Sequence, residues 1–134
     1  MDCCSVNGLP RMFGGSTPRN EADSYRKKGL PKRSRSILEY LKSRGVEGAA
    51  VLDIGFGVGS AHLELLKLGV DKVVGFEIVE PYIRQAEVLA AESGIRDSVE
   101  YRHADFTQAY SDVERATSCS STVPSAAIPK CRRW

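Results

Sequence analysis

Residues 50–59 read Ala-Val-Leu-Asp-Ile-Gly-Phe-Gly-Val-Gly. The first five are a short apolar run carrying one acid, the pattern of a strand buried on both faces. Three glycines follow at alternate positions: Gly55, Gly57 and Gly59. Beyond Ser60, the apolar residues Ala61, Leu65 and Leu68, with Leu66 beside them, recur at helical spacing. The stretch therefore reads as strand, glycine-rich turn, helix. Glycine lacks a Cβ, so the turn can be tight and its backbone can touch a ligand. The helix start offers unpaired N–H groups and a partial positive charge to polar or anionic groups.

Glycine spacing discriminates between ligands. A dinucleotide turn of the G-x-G-x-x-G type needs a third glycine at position 60 or 62. Ser60 and His62 stand there instead, so both registers fail. The run is D-x-G-x-G-x-G, with Asp53 two residues before Gly55. This resembles motif I of the class I methyltransferases that use S-adenosylmethionine (SAM). The resemblance implies that Asp53 sits by the methionine ammonium group, and that Gly55, Gly57 and Gly59 pass under the methionine and ribose.

Downstream, Lys72-Val73-Val74-Gly75-Phe76-Glu77 reads as a second strand, β-branched at its centre and ended by an acid. An acid at this place accepts hydrogen bonds from ribose hydroxyls in Rossmann-like folds. The resemblance assigns Glu77 that task toward SAM and places Ile78 next to the adenine. Pro81 starts a helix with Ile83, Ala86, Val88, Leu89 and Ala90, which stops at Gly94. Val99–His103 alternates as a third strand. In the family an acid just after that strand bonds the adenine amino group. Asp105 maps there, and Phe106 to its neighbour. The order β-α-β-α-β is one mononucleotide-binding half of such a sheet.

Upstream, residues 1–20 carry Gly8, Pro10, Gly14, Gly15 and Pro18 and read as an irregular arm that Met12 and Phe13 can anchor. Thr17-Pro18 suits a helix start, with Asn20 a competing cap. That helix ends in Arg26-Lys27-Lys28 before Gly29. Lys32, Arg33 and Arg35 extend a basic patch, for which a solvated helix face is the simpler explanation. A second helix carries Ile37, Leu38 and Leu41 on one face, with Tyr40 beside them, and ends at Gly45. In the resembling family the segment before motif I often covers the SAM site, which singles out Tyr25. The arm also resembles, loosely, that of bacterial methyltransferases of the magnesium-protoporphyrin group.

Composition bounds the rest. The chain has 134 residues, 42% hydrophobic and 27% charged, which suits one globular domain. A net charge of +2 gives no argument for nucleic acid as partner. No apolar run approaches the roughly 20 residues of a membrane span, and the N-terminus lacks the form of a secretory signal. A cytoplasmic location follows as the expectation. Cys3, Cys4, Cys119 and Cys131 form no C-x-x-C pair, and His62 and His103 are the only histidines, so no metal site is expected.

From Ala116 onward strand and helix periods cease, where a fourth strand is due. Residues 117–134 admit codons that, preceded by a G and read from it, spell DVVLVDRAVCCYPKMPAL, which has the apolar run and acid of such a strand. One base lost near codon 116 of a longer gene would account for the change. The expected organisation is a helical arm over 1–45, the SAM-binding half over 46–115 and an irregular, disordered tail over 116–134. The fold class is α/β: the N-terminal β-α-β-α-β half of a Rossmann-like SAM-methyltransferase fold, preceded by a helical arm. Without a fourth strand, β1 becomes an open edge prone to self-association. The expected function is SAM-dependent methyl transfer to a small-molecule acceptor in the complete enzyme, with little turnover by this chain alone. Two rivals remain at this point: an NAD(P)- or FAD-binding oxidoreductase half-domain, and an inactive fragment serving as a binding module. No catalytic base is legible beyond the candidates Tyr25 and His103.

Overall fold

The computed structural model describes residues 8–109. The readings placed on the four cysteines and on the tail from Ala116 lie outside those residues. In order the elements are α1 (Leu9–Phe13), α2 (Thr17–Lys28), α3 (Lys32–Arg44), β1 (Ala50–Ile54), α4 (Ser60–Lys67), β2 (Lys72–Glu77), α5 (Glu80–Glu92), a 3₁₀ turn (Arg96–Ser98), β3 (Val99–His103) and α6 (Phe106–Ala109). The three described strands are parallel, in the order β1-β2-β3. This is the β-α-β-α-β order of one half of a Rossmann-like α/β sheet.

Register explains which strand residues face the helices. Val51, Val73 and Val99 lie in one row across the sheet, and Asp53, Gly75 and Tyr101 in the row two residues further on. The valine row packs with Leu65, Leu66 and Val70 of α4 and its C-terminal turn. α5 contributes Ile83, Ala86, Leu89 and Ala90, all buried. Burying the valine, leucine and isoleucine side chains among these supplies about 1.5–3 kcal/mol each, most of what holds helices to sheet. α2 lies on α5 through buried Ala22, and Arg26 forks onto both carboxylate oxygens of Glu92 at 2.9 Å.

The opposite face is different. It carries the rows Leu52, Val74, Glu100 and Ile54, Phe76, Arg102. Phe76 is covered by the Arg102 guanidinium, 5.4 Å from its ring, and by the edge of Phe106. Leu52 and Ile54 stay 41% and 53% exposed. A strand whose composition suits burial on both faces is thus half-buried on one and exposed on the other, with a single strand neighbour, β2, among the described residues.

Several local expectations are corrected. The arm is not wholly irregular, since Leu9–Phe13 form a helical turn. Asn20 is no cap; it lies inside α2, which begins at Thr17 with proline in its first turn. On α3, Ile37 and Tyr40 face solvent, and only Leu38 and Leu41 reach the core. On α4 the buried face is His62, Leu63, Leu65 and Leu66, while Ala61 is exposed. Val88 also faces water.

Gly75 shows why a strand interior holds a glycine. Its φ is ordinary, but a Cβ there would lie 2.7 Å from the Phe56 ring. The aromatic ring takes the place of a side chain. Gly75→Ala is therefore expected to destabilise the fold by about 1–3 kcal/mol through overpacking. Urea unfolding should show a lowered midpoint with unchanged slope.

Candidate functional site

β1 delivers the chain to a turn in which Gly55, Gly57 and Gly59 have φ of +71°, +57° and +77°. L-residues rarely adopt these values, so alternate glycines are what the turn requires. The Gly55 N–H still reaches back to the Phe76 carbonyl at 2.7 Å, and the Gly59 N–H closes onto the Phe56 carbonyl at 2.9 Å. Gly59 then caps the start of α4.

Glu77 ends β2 and ties two loops together. Its Oε2 accepts from the Gly57 N–H at 2.9 Å, and its Oε1 accepts from the N–H groups of Ile78 and Val79 at 2.9 and 3.0 Å. The acid that the sequence singles out for a ligand thus also organises the glycine turn. A carboxylate has about four acceptor sites, so Oε2, with one partner, retains capacity for a ligand hydroxyl.

Around these groups lies a cavity of about 320 Å³. Gly55, Gly57, Glu77, Ile78 and Val79 form one side, Leu9 and Phe13 of α1 another, and Tyr82 with Glu21 a third. A Cβ on Gly57 would come within 3.8 Å of the Tyr82 ring. The Tyr82 hydroxyl donates to Glu21 at 2.8 Å. Burial, with the Glu21 carboxylate beside it, pushes the Tyr82 pKa up, so it stays a neutral donor.

The structure gathers Gly55, Gly57, Glu77 and Ile78 into one lining. Asp53, Gly59, Asp105 and Phe106 are not part of it. Asp53 lies beneath the turn, bonded through Oδ2 to His62 at 2.8 Å. Asp105 caps α6: its Oδ1 accepts from the Thr107 hydroxyl and N–H at 2.7 and 2.9 Å, which holds its carboxyl below the usual range. Phe106 packs edge-on against Phe76, ring centroids 5.2 Å apart.

Tyr25 is not at the cavity. Its hydroxyl donates to Glu64 and accepts from Lys67, clasping α2 to α4. Partial burial and the hydrogen bond to the Glu64 carboxylate raise its pKa. His103 donates through Nε2 to the Ile78 carbonyl at 3.0 Å, at the rim of the same turn. The residues that sequence reasoning misses are Leu9, Glu21, Val79 and Tyr82. Phe13 is legible as an anchor, and an aromatic residue directly after Pro81 is the available signal for Tyr82.

The residues present fit SAM. At Gly55 and Gly57 no side chain comes nearer than 3.8 Å to the position of a Cβ, and the Glu77 carboxylate at the end of β2 keeps spare acceptor capacity for a ligand hydroxyl.

Comparison with known proteins bears on this site. The family model described as "Methyltransferase domain" matches residues 51–129. Ribosomal protein L11 methyltransferase of Aliivibrio fischeri (strain MJ11) is 35% identical over 63 residues, covering 47% of this chain and 21% of that protein. The Vibrio cholerae protein of the same name is 33% identical over an equal length. The chain thus spans about a fifth of the length of these curated relatives.

Among solved structures, magnesium protoporphyrin IX methyltransferase of Synechocystis PCC 6803 with bound SAH shares the fold. Its TM-score is 0.64 and its identity 21%, over 77% of this chain and 52% of that one. The SAM-dependent methyltransferase of Geobacter sulfurreducens in complex with S-adenosyl-L-homocysteine (SAH) matches at TM-score 0.50 and 25% identity, over 57% of this chain and 30% of that one. The cyclase SpnF shares the fold too, at TM-score 0.61 and 19% identity over 75% and 43% of the two chains. Fold alone therefore does not name a reaction. The family model covers more than half the chain, and it meets the strand, glycine turn and acid already described: the chain belongs to the SAM-dependent methyltransferase family.

Proposed function

We propose that this chain is the SAM-binding half of a methyltransferase whose complete form alkylates a small-molecule acceptor. The observation that carries this is the meeting of Gly55, Gly57, Glu77 and Ile78 around one cavity. SAM, when bound, supplies an electrophilic methyl group on a sulfonium. The chain's own residues bind and orient, and such positioning is the larger part of catalysis in methyl transfer of this kind. Asp53 takes the ammonium of the methionine end, Gly55, Gly57 and Gly59 let the backbone approach it, and Glu77 accepts from the ribose. Ile78 lies against the adenine, with Asp105 and Phe106 at its far edge. Leu9 and Phe13 of the arm shield the cavity from water. On this reading residues 46–115 form the binding half and residues 1–45 the arm that covers it.

The Synechocystis protein is named for a small acceptor, whereas the Aliivibrio and Vibrio relatives are named for a ribosomal protein. The apolar residues Leu9 and Phe13 over the cavity favour the first kind. No helix among the described residues is long and apolar enough to cross a membrane. Cysteines without paired spacing fit a reducing, cytoplasmic setting. The exposed Leu52 and Ile54 at the β1 edge support self-association of this chain.

Calorimetric titration tests the reading. SAH should bind at micromolar Kd or tighter, with NAD failing to compete at a hundredfold excess. Binding of NAD in preference to SAH would overturn it in favour of an oxidoreductase half-domain. Binding of neither would leave a non-catalytic module.

A further inference from the structure

Asp53, Gly75 and Tyr101 share one row across the three strands, on the helix-facing side. Adjacent strands are about 4.8 Å apart, so Asp53 and Tyr101 stand roughly 10 Å from each other. That is too far for a direct bond, and Gly75 offers no side chain between them. Phe56 fills part of the gap over Gly75, with its ring 4.9 Å from that of Tyr101. His62 spans the rest. It reaches Asp53 Oδ2 through Nδ1 at 2.8 Å and the Tyr101 hydroxyl through Nε2 at 3.0 Å. The ring is completely buried, yet Asp53 keeps about a quarter of its side-chain surface.

The proton bookkeeping is constrained. A carboxylate only accepts, so Nδ1 carries the hydrogen and donates to Asp53. If the ring is neutral, Nε2 accepts from the Tyr101 O–H. If it is charged, Nε2–H donates to the Tyr101 oxygen, whose own proton turns to the Ala86 carbonyl, 3.4 Å away. Both ring nitrogens are satisfied in either form, and the His62–Asp53 bond survives in both. Burial raises the Tyr101 pKa, so the hydroxyl remains available for either role.

We propose that His62 is a positioning residue for ligand binding: anchored on Tyr101, it fixes one oxygen of Asp53 so that the other is presented to the ammonium of the methionine end. The inference rests on the reading of Asp53 given above. Oδ1 of Asp53 makes no hydrogen bond to any described residue, which leaves it for the ligand. Gly59 belongs to the same arrangement, since a Cβ there would lie 2.6 Å from the His62 ring. A carboxylate already held in place spares the ligand the entropy of ordering it.

The test uses the full 134-residue chain and two ligands, SAH and 5′-methylthioadenosine, of which only SAH carries the ammonium. His62→Leu should weaken SAH roughly tenfold, the effect of losing one ordered charged contact, and leave methylthioadenosine unchanged. His62→Asn, whose amide nitrogen overlays Nδ1, should restore most of the SAH affinity. Tyr101→Phe should weaken SAH about two- to threefold by freeing the far end of the ring, and it serves if His62→Leu fails to fold. Equal losses for both ligands would make His62 a purely structural residue and overturn the proposal. So would unchanged SAH affinity in His62→Leu, or in Tyr101→Phe if His62→Leu does not fold. Asp53→Asn separates this from the parent reading. If it spares SAH affinity, Asp53 does not take the ammonium and both fall; if it costs affinity while His62→Leu does not, only the proposal falls.

Discussion

Glu77→Ala is expected to weaken SAH binding at least a hundredfold and to lower unfolding stability by about 3 kcal/mol. The carboxylate accepts from three backbone N–H groups, those of Gly57, Ile78 and Val79. Its removal strands all three, that of Val79 fully buried and those of Gly57 and Ile78 half-buried. An unsatisfied buried donor costs about 1–3 kcal/mol, and partial access of water from the cavity offsets part of the sum. Against a typical total of about 5–15 kcal/mol this is a large fraction. Binding suffers twice, because the ribose acceptor is lost and the Gly57 peptide is released from its place in the turn. A fall of at least a hundredfold in affinity is the expected result, equivalent to about 2.7 kcal/mol. Glu77→Gln separates the two roles. Its amide keeps one acceptor oxygen, so stability should be lost by about half as much, while SAH binding still weakens tenfold or more. Urea unfolding with and without SAH measures both quantities. A Glu77→Ala chain of wild-type stability would mean that the three hydrogen bonds are not what holds the turn.

The core of this site is legible in the sequence because it is local. Asp53, three alternate glycines, a helix, a strand and a terminal acid follow one another within 25 residues, and the pairing of the two consecutive strands β1 and β2 brings Glu77 beside Gly57. What sequence reading misses comes from the third strand, β3, and from the arm. Nothing in the spacing of His62 and Tyr101 announces that they meet, because their contact depends on the register of β3 against β2 and on the empty position at Gly75. Tyr82 and Glu21 meet because α2 lies on α5, a long-range packing choice. Periodicity misplaces the face of α4 by one residue, Ala61 for His62, since a histidine counts there as polar. Here its two nitrogens are both partnered, which is what permits complete burial. The position of Tyr25 in the arm points to the cavity, but a carboxylate and an ammonium one helix away, on Glu64 and Lys67, hold it outside.

The three glycines of the turn differ in why they are glycine, and alanine at each should separate the reasons. All three have positive φ, so each substitution carries a backbone cost of about 1–2 kcal/mol, reduced by about 0.4–1 kcal/mol through the lowered entropy of the unfolded chain. Gly55→Ala meets no atom within 4 Å and Gly57→Ala only the Tyr82 ring at 3.8 Å. Both should therefore cost little beyond the backbone term, about 1 kcal/mol. Gly59→Ala adds a clash at 2.6 Å with the buried His62 ring and a tight 3.4 Å approach to Ala86. Neither neighbour can yield easily: the ring is pinned at both nitrogens, and Ala86 is buried on α5. Overpacking adds about 1–3 kcal/mol, so the expected loss is about 2–4 kcal/mol. Binding should rank differently. Gly57→Ala places a methyl group at the cavity wall and should weaken both SAH and methylthioadenosine. Gly59→Ala acts through His62 and Asp53 and should weaken SAH more than methylthioadenosine. Denaturant midpoints and paired titrations on the three variants give the two orderings. If Gly59→Ala proves no less stable than Gly55→Ala, the His62 ring is not locked under the turn, and Asp53 is not held from below.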